Sequence, residues 1–92
     1  MTLPTMVPGL DRSSVLDWCR AIDAGPFATL AAGERVTYHN LDLFTVLAAA
    51  AAVTERVRIM STVVVLPAHP AIEVAKRVAT LDVLSNGRFV LG

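Results

Sequence analysis

The side chains in these 92 residues that could move a proton, grip an anion or attack a carbonyl are scattered, but one polar stretch gathers several of them. Residues 32–41 carry Gly33, Glu34, Arg35, Tyr38, His39 and Asn40 between two apolar runs, the composition of a surface loop in which function is often placed. His39 offers an imidazole, the side chain that most readily moves protons near neutral pH; its plainer reading is a loop histidine bonded to backbone or water. Arg35 stays protonated, so it cannot act as a base, but it can hold a phosphate or a carboxylate. Glu34 and Arg35 read equally as a solvated pair of little energetic worth or as residues pointing into a site above a sheet. His69, between Ala68 and Pro70, reads as a cap on the helix that follows. Ser13, Ser14, His39 and Asp42 are the residue types of a hydrolytic triad, yet neither serine stands in a nucleophile elbow. The single cysteine, Cys19, excludes an internal disulfide and reads as a small buried hydrophobe. Two separated histidines give no metal-ligand spacing.

The elements that must position these residues follow from punctuation and periodicity. Leu3 to Val7 suggests a short strand, confined by Pro4 to a strand start or an edge, before Pro8-Gly9 turns the chain. Asp11 or Ser13 can cap a helix running to about Ala24, with Val15, Leu16, Cys19 and Ile22 on one face and Gly25-Pro26 as its stop. Phe27 to Ala31 is short, apolar and bounded by turns, as a buried strand would be. Asp42 then caps an alanine-rich helix over Leu43 to Thr54. Val57 to Leu66 is dense in β-branched residues, which predicts a strand buried on both faces. Pro70 suits the first turn of a helix reaching Leu84, whose buried face reads as Ile72, Ala75, Ala79 and Val83. Asn86-Gly87 ends it, and Arg88 to Leu91 begins another strand. Strand and helix alternate throughout, which is β/α winding around a parallel sheet.

Composition narrows the field. Eight basic and eight acidic residues leave a net charge of zero, so the chain carries no electrostatic footprint for nucleic acid or anionic lipid. It is 54% hydrophobic and only 17% charged, rich in apolar surface for a single small domain. No run approaches the roughly 20 apolar residues of a membrane span; the longest, Leu43 to Val53, contains Thr45 and stops at Thr54-Glu55-Arg56. Two prolines, a glycine and Asp11 in the opening residues exclude a secretory signal, so the expected location is cytoplasmic. No glycine-rich phosphate loop is present. The last strand is left without a covering helix, an uncovered edge that permits a homo-oligomer.

Three segments carry a family likeness. Ala52-Val53-Thr54-Glu55-Arg56-Val57-Arg58-Ile59, then Val63-Val64-Val65-Leu66-Pro67-Ala68-His69-Pro70, then Ala79 to Ser85 with Asn86-Gly87-Arg88-Phe89 closely resemble the luciferase-like monooxygenase family. Leu3-Pro4-Thr5 is similar to the end of that family's first strand and Gly33-Glu34-Arg35 to the loop after its second. The resemblance implies a (β/α)8 TIM-type barrel of which residues 1–92 make an incomplete domain, about three β/α units plus one strand. It implies an oxidoreductase of small molecules using FMN or a deazaflavin (coenzyme F-420), inactive in this piece alone. It implies a non-proline cis peptide at Thr62-Val63 against the cofactor ring, Glu34 at the cofactor, and Arg35 or His39 near the substrate. Some deazaflavin dehydrogenases place the active-site histidine where this chain has Arg35; His39 could replace it only if the loop folds back. The alternative is a non-catalytic remnant that associates through its exposed sheet edge.

Overall fold

The computed structural model of the chain describes residues 1–5, 9–34 and 41–92. Helix α1 (Arg12–Ala24) leads into strand β1 (Thr29–Ala32), helix α2 (Leu43–Val53) into β2 (Arg58–Ser61), and helix α3 (Ala71–Leu84) into β3 (Phe89–Val90). A single 3-10 turn, Leu66–Ala68, follows β2. The strands are parallel in the order β1-β2-β3, with Thr29 opposite Arg58 and Ile59 opposite Phe89. Parallel neighbours joined by right-handed crossovers in simple sequence order carry their helices on one face, and α2 accordingly packs between α1 and α3.

Local chemistry sets each boundary. The Asp11 carboxylate accepts the Ser14 N–H at 2.8 Å and starts α1. Asp42 does the same for α2, taking the Thr45 N–H at 3.1 Å and the Thr45 hydroxyl at 2.7 Å. Helix α3 starts without a side-chain cap: Pro70 occupies the capping position, and its carbonyl accepts the N–H groups of Glu73 and Val74. At the far end Asn86 and Gly87 take φ of 59° and 81°, the left-handed turn that brings the chain back to β3. The core is the seam between sheet and helices, where Leu30, Ile59, Leu43, Leu47, Val57 and Cys19 are fully buried. Each large aliphatic side chain there contributes about 1.5–3 kcal/mol.

Several sequence expectations need correction. The second expected strand is displaced toward its C-terminus, from Phe27–Ala31 to Thr29–Ala32. The expected long strand over Val57 to Leu66 pairs only from Arg58 to Ser61, and it is not buried on both faces: Ile59 and Ser61 are buried, Arg58 is exposed and Met60 half-buried. β-branched residues beyond Ser61 leave the ladder because the chain turns toward the 3-10 segment. The expected inner face of α3 is its outer one. Ile72 is 81% and Val83 79% exposed, whereas Val74 and Leu81 are buried and Val78 packs beside them. Two apolar stripes run along this helix, and the one whose neighbours are α2 and β3 is the one covered. Of the expected first strand, Thr2 forms an isolated parallel bridge to Ala31, and the Leu3 N–H donates to the Ala31 carbonyl at 2.7 Å. Met6, Val7 and Pro8 lie outside the described residues.

Candidate functional site

The two ends of the sheet are built from different chemistry. Where strands β2 and β3 begin, charged side chains serve the backbone. The Asp23 carboxylate, near the end of α1, accepts the N–H groups of Glu55, Arg56 and Val57 at 3.0, 2.9 and 3.0 Å. In return the Arg56 guanidinium donates to the carbonyls of Asp23 and Gly25, at 3.0 and 2.8 Å, closing the C-terminus of α1. Burial pushes the Asp23 carboxyl up, but the three backbone donors and the Arg56 charge outweigh it and hold it below the usual carboxylate range. Arg88 is engaged on all three of its nitrogens. Nε donates to the Ser85 carbonyl at 2.6 Å, Nη1 to the Val57 carbonyl at 2.6 Å and the Thr54 hydroxyl at 3.0 Å, and Nη2 to the carbonyls of Thr54 and Ala51 at 2.8 and 3.3 Å. Only a planar fork of five donors can serve so many acceptors at once.

Where the strands end, the polar groups face one another instead. Gly33 and Glu34 follow β1, residues Thr62 to His69 follow β2, and Gly92 follows β3. The Glu34 side chain is only 6% exposed, and His69 Nε2 lies 2.7 Å from Oε2 and 2.9 Å from Oε1. Glu34 Oε1 also accepts the Val65 N–H at 2.8 Å. An ionised carboxylate can only accept, so in this pair Nε2 is the donor. His69 meets the Phe44 ring edge-on, with centroids 5.9 Å apart and planes at 83°, and Arg77 covers that ring at 5.5 Å. Asp42 stands in the same neighbourhood; the Thr45 hydroxyl, then its N–H, and the charges of Arg77 and His69 hold its carboxyl below the usual range against the opposing effect of burial.

The segment after β2 is tied on several sides. The Thr62 N–H donates to the Ala32 carbonyl at 2.8 Å and the Val64 N–H to the Gly92 carbonyl at 3.2 Å. The Thr62-Val63 peptide is cis, at the position the resemblance implied. Gly33 runs so close beneath it that a Cβ there would sit 2.8 Å from the Thr62 carbonyl oxygen, so glycine is required by contact. Val63 is 65% exposed, an apolar side chain presented outward rather than packed.

Of the residues singled out from the sequence, Glu34, Thr62 and Val63 come together here, while Arg35 and His39 lie outside the described residues. Glu34 is not a solvated partner of the kind first considered; it is buried against His69. His69 is not a helix cap, since α3 starts on Pro70 without a side-chain hydrogen bond. Its partnership with Glu34 went unread, although a signal existed: both residues sit just beyond the ends of consecutive strands, and in a parallel sheet such loops are neighbours. A concavity of about 700 Å³, lined by Met1, Pro4, Leu10, Trp18 and Phe27, lies on the flank of α1 and holds neither Glu34 nor His69.

Fold and site define a β/α-wound domain with a candidate ligand site at the carboxyl ends of its parallel strands. The chain belongs to the luciferase-like monooxygenase family, whose model matches residues 3–92. It is similar to the pyrimidine monooxygenase RutA of Serratia proteamaculans, 51% identical over 53 residues that make up 58% of this chain and 14% of that protein. The Escherichia coli RutA is 51% identical over 51 residues, 55% of this chain and 15% of that protein. Among solved structures, monooxygenase RslO1 from Streptomyces bottropensis superposes with a TM-score of 0.85 at 28% identity, over all of this chain and 31% of that one. The oxygenating constituent of 3,6-diketocamphane monooxygenase from Pseudomonas putida, a type II Baeyer–Villiger enzyme in complex with FMN, shares the fold with a TM-score of 0.82 at 22% identity, over all of this chain and 28% of that one. The chain thus spans about a seventh of the length of the curated relatives it matches. Among the described residues no helix is long and apolar enough to cross a membrane.

Proposed function

We propose that these residues are the cofactor-facing units of a flavin-dependent (β/α)8-barrel monooxygenase acting on a small molecule, and that they do not turn over by themselves. The observation that carries this reading is the meeting of Glu34, His69 and the Thr62–Val65 backbone at the strand ends, with Val63 turned outward beside them. A flat heteroaromatic ring fits such a place. The exposed Val63 and the peptide before it offer an apolar ledge for one ring face, and Glu34 lies beside it with both oxygens already engaged. Arg35 is assigned to a phosphate or carboxylate and His39 to a proton near the substrate, because a guanidinium holds anions and an imidazole exchanges protons. Reduced FMN, when bound, supplies the electrons for oxygenation; a deazaflavin (coenzyme F-420) would supply a hydride instead. The relatives named as monooxygenases and the FMN complex of one of them favour FMN.

Fluorescence titration of the purified chain with FMN and with the deazaflavin, with light scattering followed in parallel, tests this. Weak saturable quenching of FMN at the monomer is expected. Quenching of the deazaflavin alone would move the reading to hydride transfer, and neither response would end it. A second reading, a non-catalytic chain that associates through its sheet edge and helix flank, is favoured by the exposure of Ile72, Val83 and Leu91. Concentration-dependent association unaffected by cofactor would support that reading.

A further inference from the structure

Glu34 cannot be a freely available group at the strand ends, because three contacts already claim its two oxygens. One of those contacts is the Val65 N–H, and Val65 stands directly after the Thr62–Val64 stretch. The carboxylate therefore bridges the loop after β1 to the segment after β2. What holds the carboxylate is His69, and His69 has little freedom of its own: its side chain is 15% exposed and its ring is wedged edge-on against Phe44. Phe44 belongs to α2 and is buried, with the Arg77 guanidinium of α3 across its face. A continuous physical path thus runs from two helices through an aromatic ring and an imidazole to a carboxylate and then to one backbone N–H.

We propose that His69 is a positioning residue for the ring-facing backbone: through Glu34 it fixes where Thr62 to Val65 stand. Resting on the flavin reading above, this gives the pair a task other than proton transfer. The backbone carries the ledge, Glu34 sets it, and His69 sets Glu34. The other ties on the segment are Thr62 to Ala32 and Val64 to Gly92, which act before and within the ledge, and the local turn in which the Val65 carbonyl accepts the Ala68 N–H at 3.0 Å; among the described contacts, the Glu34–His69 pair is what joins its far end to the loop after β1.

The test is amide hydrogen exchange at Val65 by NMR, with Leu47 in the core as the internal reference, followed by FMN titration read on the Thr62–Val65 amides. His69→Phe keeps a ring against Phe44 and removes the donor; His69→Gln keeps a donor; Glu34→Ala removes the bridge. Val65 exchange is expected to quicken about tenfold in His69→Phe and in Glu34→Ala, the size of one charge-assisted hydrogen bond, with Leu47 unchanged. FMN affinity should weaken in parallel, and His69→Gln should recover both. Val65 exchange in His69→Phe equal to that of the unsubstituted chain overturns the proposal. So does quickened exchange with FMN affinity unchanged. If the amides of the unsubstituted chain ignore FMN while Val65 exchange still depends on His69, the flavin reading fails and the tie survives. Should His69→Phe lose its fold, seen as quickened Leu47 exchange, the comparison of Glu34→Ala with His69→Gln decides.

Discussion

The side chains that make the family likeness visible divide between two tasks, and only part of them, Gly33, Glu34, Val63 and His69, gather at the candidate site. Thr54, Arg56 and Arg88, which belong to the matching segments as well, hold backbone groups where strands begin. That end of a β/α sheet serves stability, while the other serves chemistry. Arg88→Lys is therefore expected to lower stability by about 2–3 kcal/mol, since an ammonium cannot reach the Ser85, Thr54 and Val57 acceptors together; chemical denaturation would measure it. Asp23 adds a dependence on pH. Its carboxyl is lowered in the folded chain, so the stability it contributes is fully present above the unfolded value of about 3.9 and is lost as pH falls through the folded one. Asp23→Asn should thus destabilise at neutral pH and flatten the acid limb of a melting-temperature profile. Gly33→Ala is expected to cost about 1–3 kcal/mol and to disturb the Thr62 amide resonance, because the new methyl group meets the carbonyl of a residue whose own N–H is tied to Ala32. His69 was legible as a residue of interest but not as a partner, since thirty-five positions separate it from Glu34 and only the strand register brings them together.

At the scale of elements, caps were the most readable feature. Asp11 and Asp42 end up where a carboxylate before an apolar helical run should be, and Asn86-Gly87 ends α3 by a conformation few other pairs adopt. Strand extents were less readable because β-branched residues mark a preference and not a ladder; Val63 and Val65 are exposed although their types suggest a sheet interior. Helix α3 shows why helical periodicity can point to the wrong face. Ile72, Ala75, Ala79 and Val83 form a valid stripe, and so do Val74, Val78 and Leu81; tertiary neighbours chose the second. Replacing Ile72 and Val83 together by lysine should leave the melting temperature within about a degree or two, as surface substitutions usually do. The same pair should reduce association in sedimentation runs at high concentration, if that stripe meets another surface.

For the whole molecule, β/α winding was legible in the alternation of elements, whereas closure of the sheet was not, because each unit looks the same in an open sheet and in a barrel. The two ends of the sheet share no side-chain partner among the described residues, so substitutions at one should add to those at the other. Combining Arg88→Lys with Gly33→Ala is expected to give the sum of the single changes to within about 0.5 kcal/mol; a larger departure would reveal coupling through the strands. The fork of Arg88 has one more consequence, in the order of synthesis. It draws on carbonyls 31, 34 and 37 positions earlier, at Val57, Thr54 and Ala51. On a ribosome, α2 would leave the exit tunnel with its last carbonyls still bonded to water and would find their permanent donor only after α3 had followed. The C-terminus of α2 would therefore be completed only when Arg88 arrives with β3, after β1 and β2 have already been made.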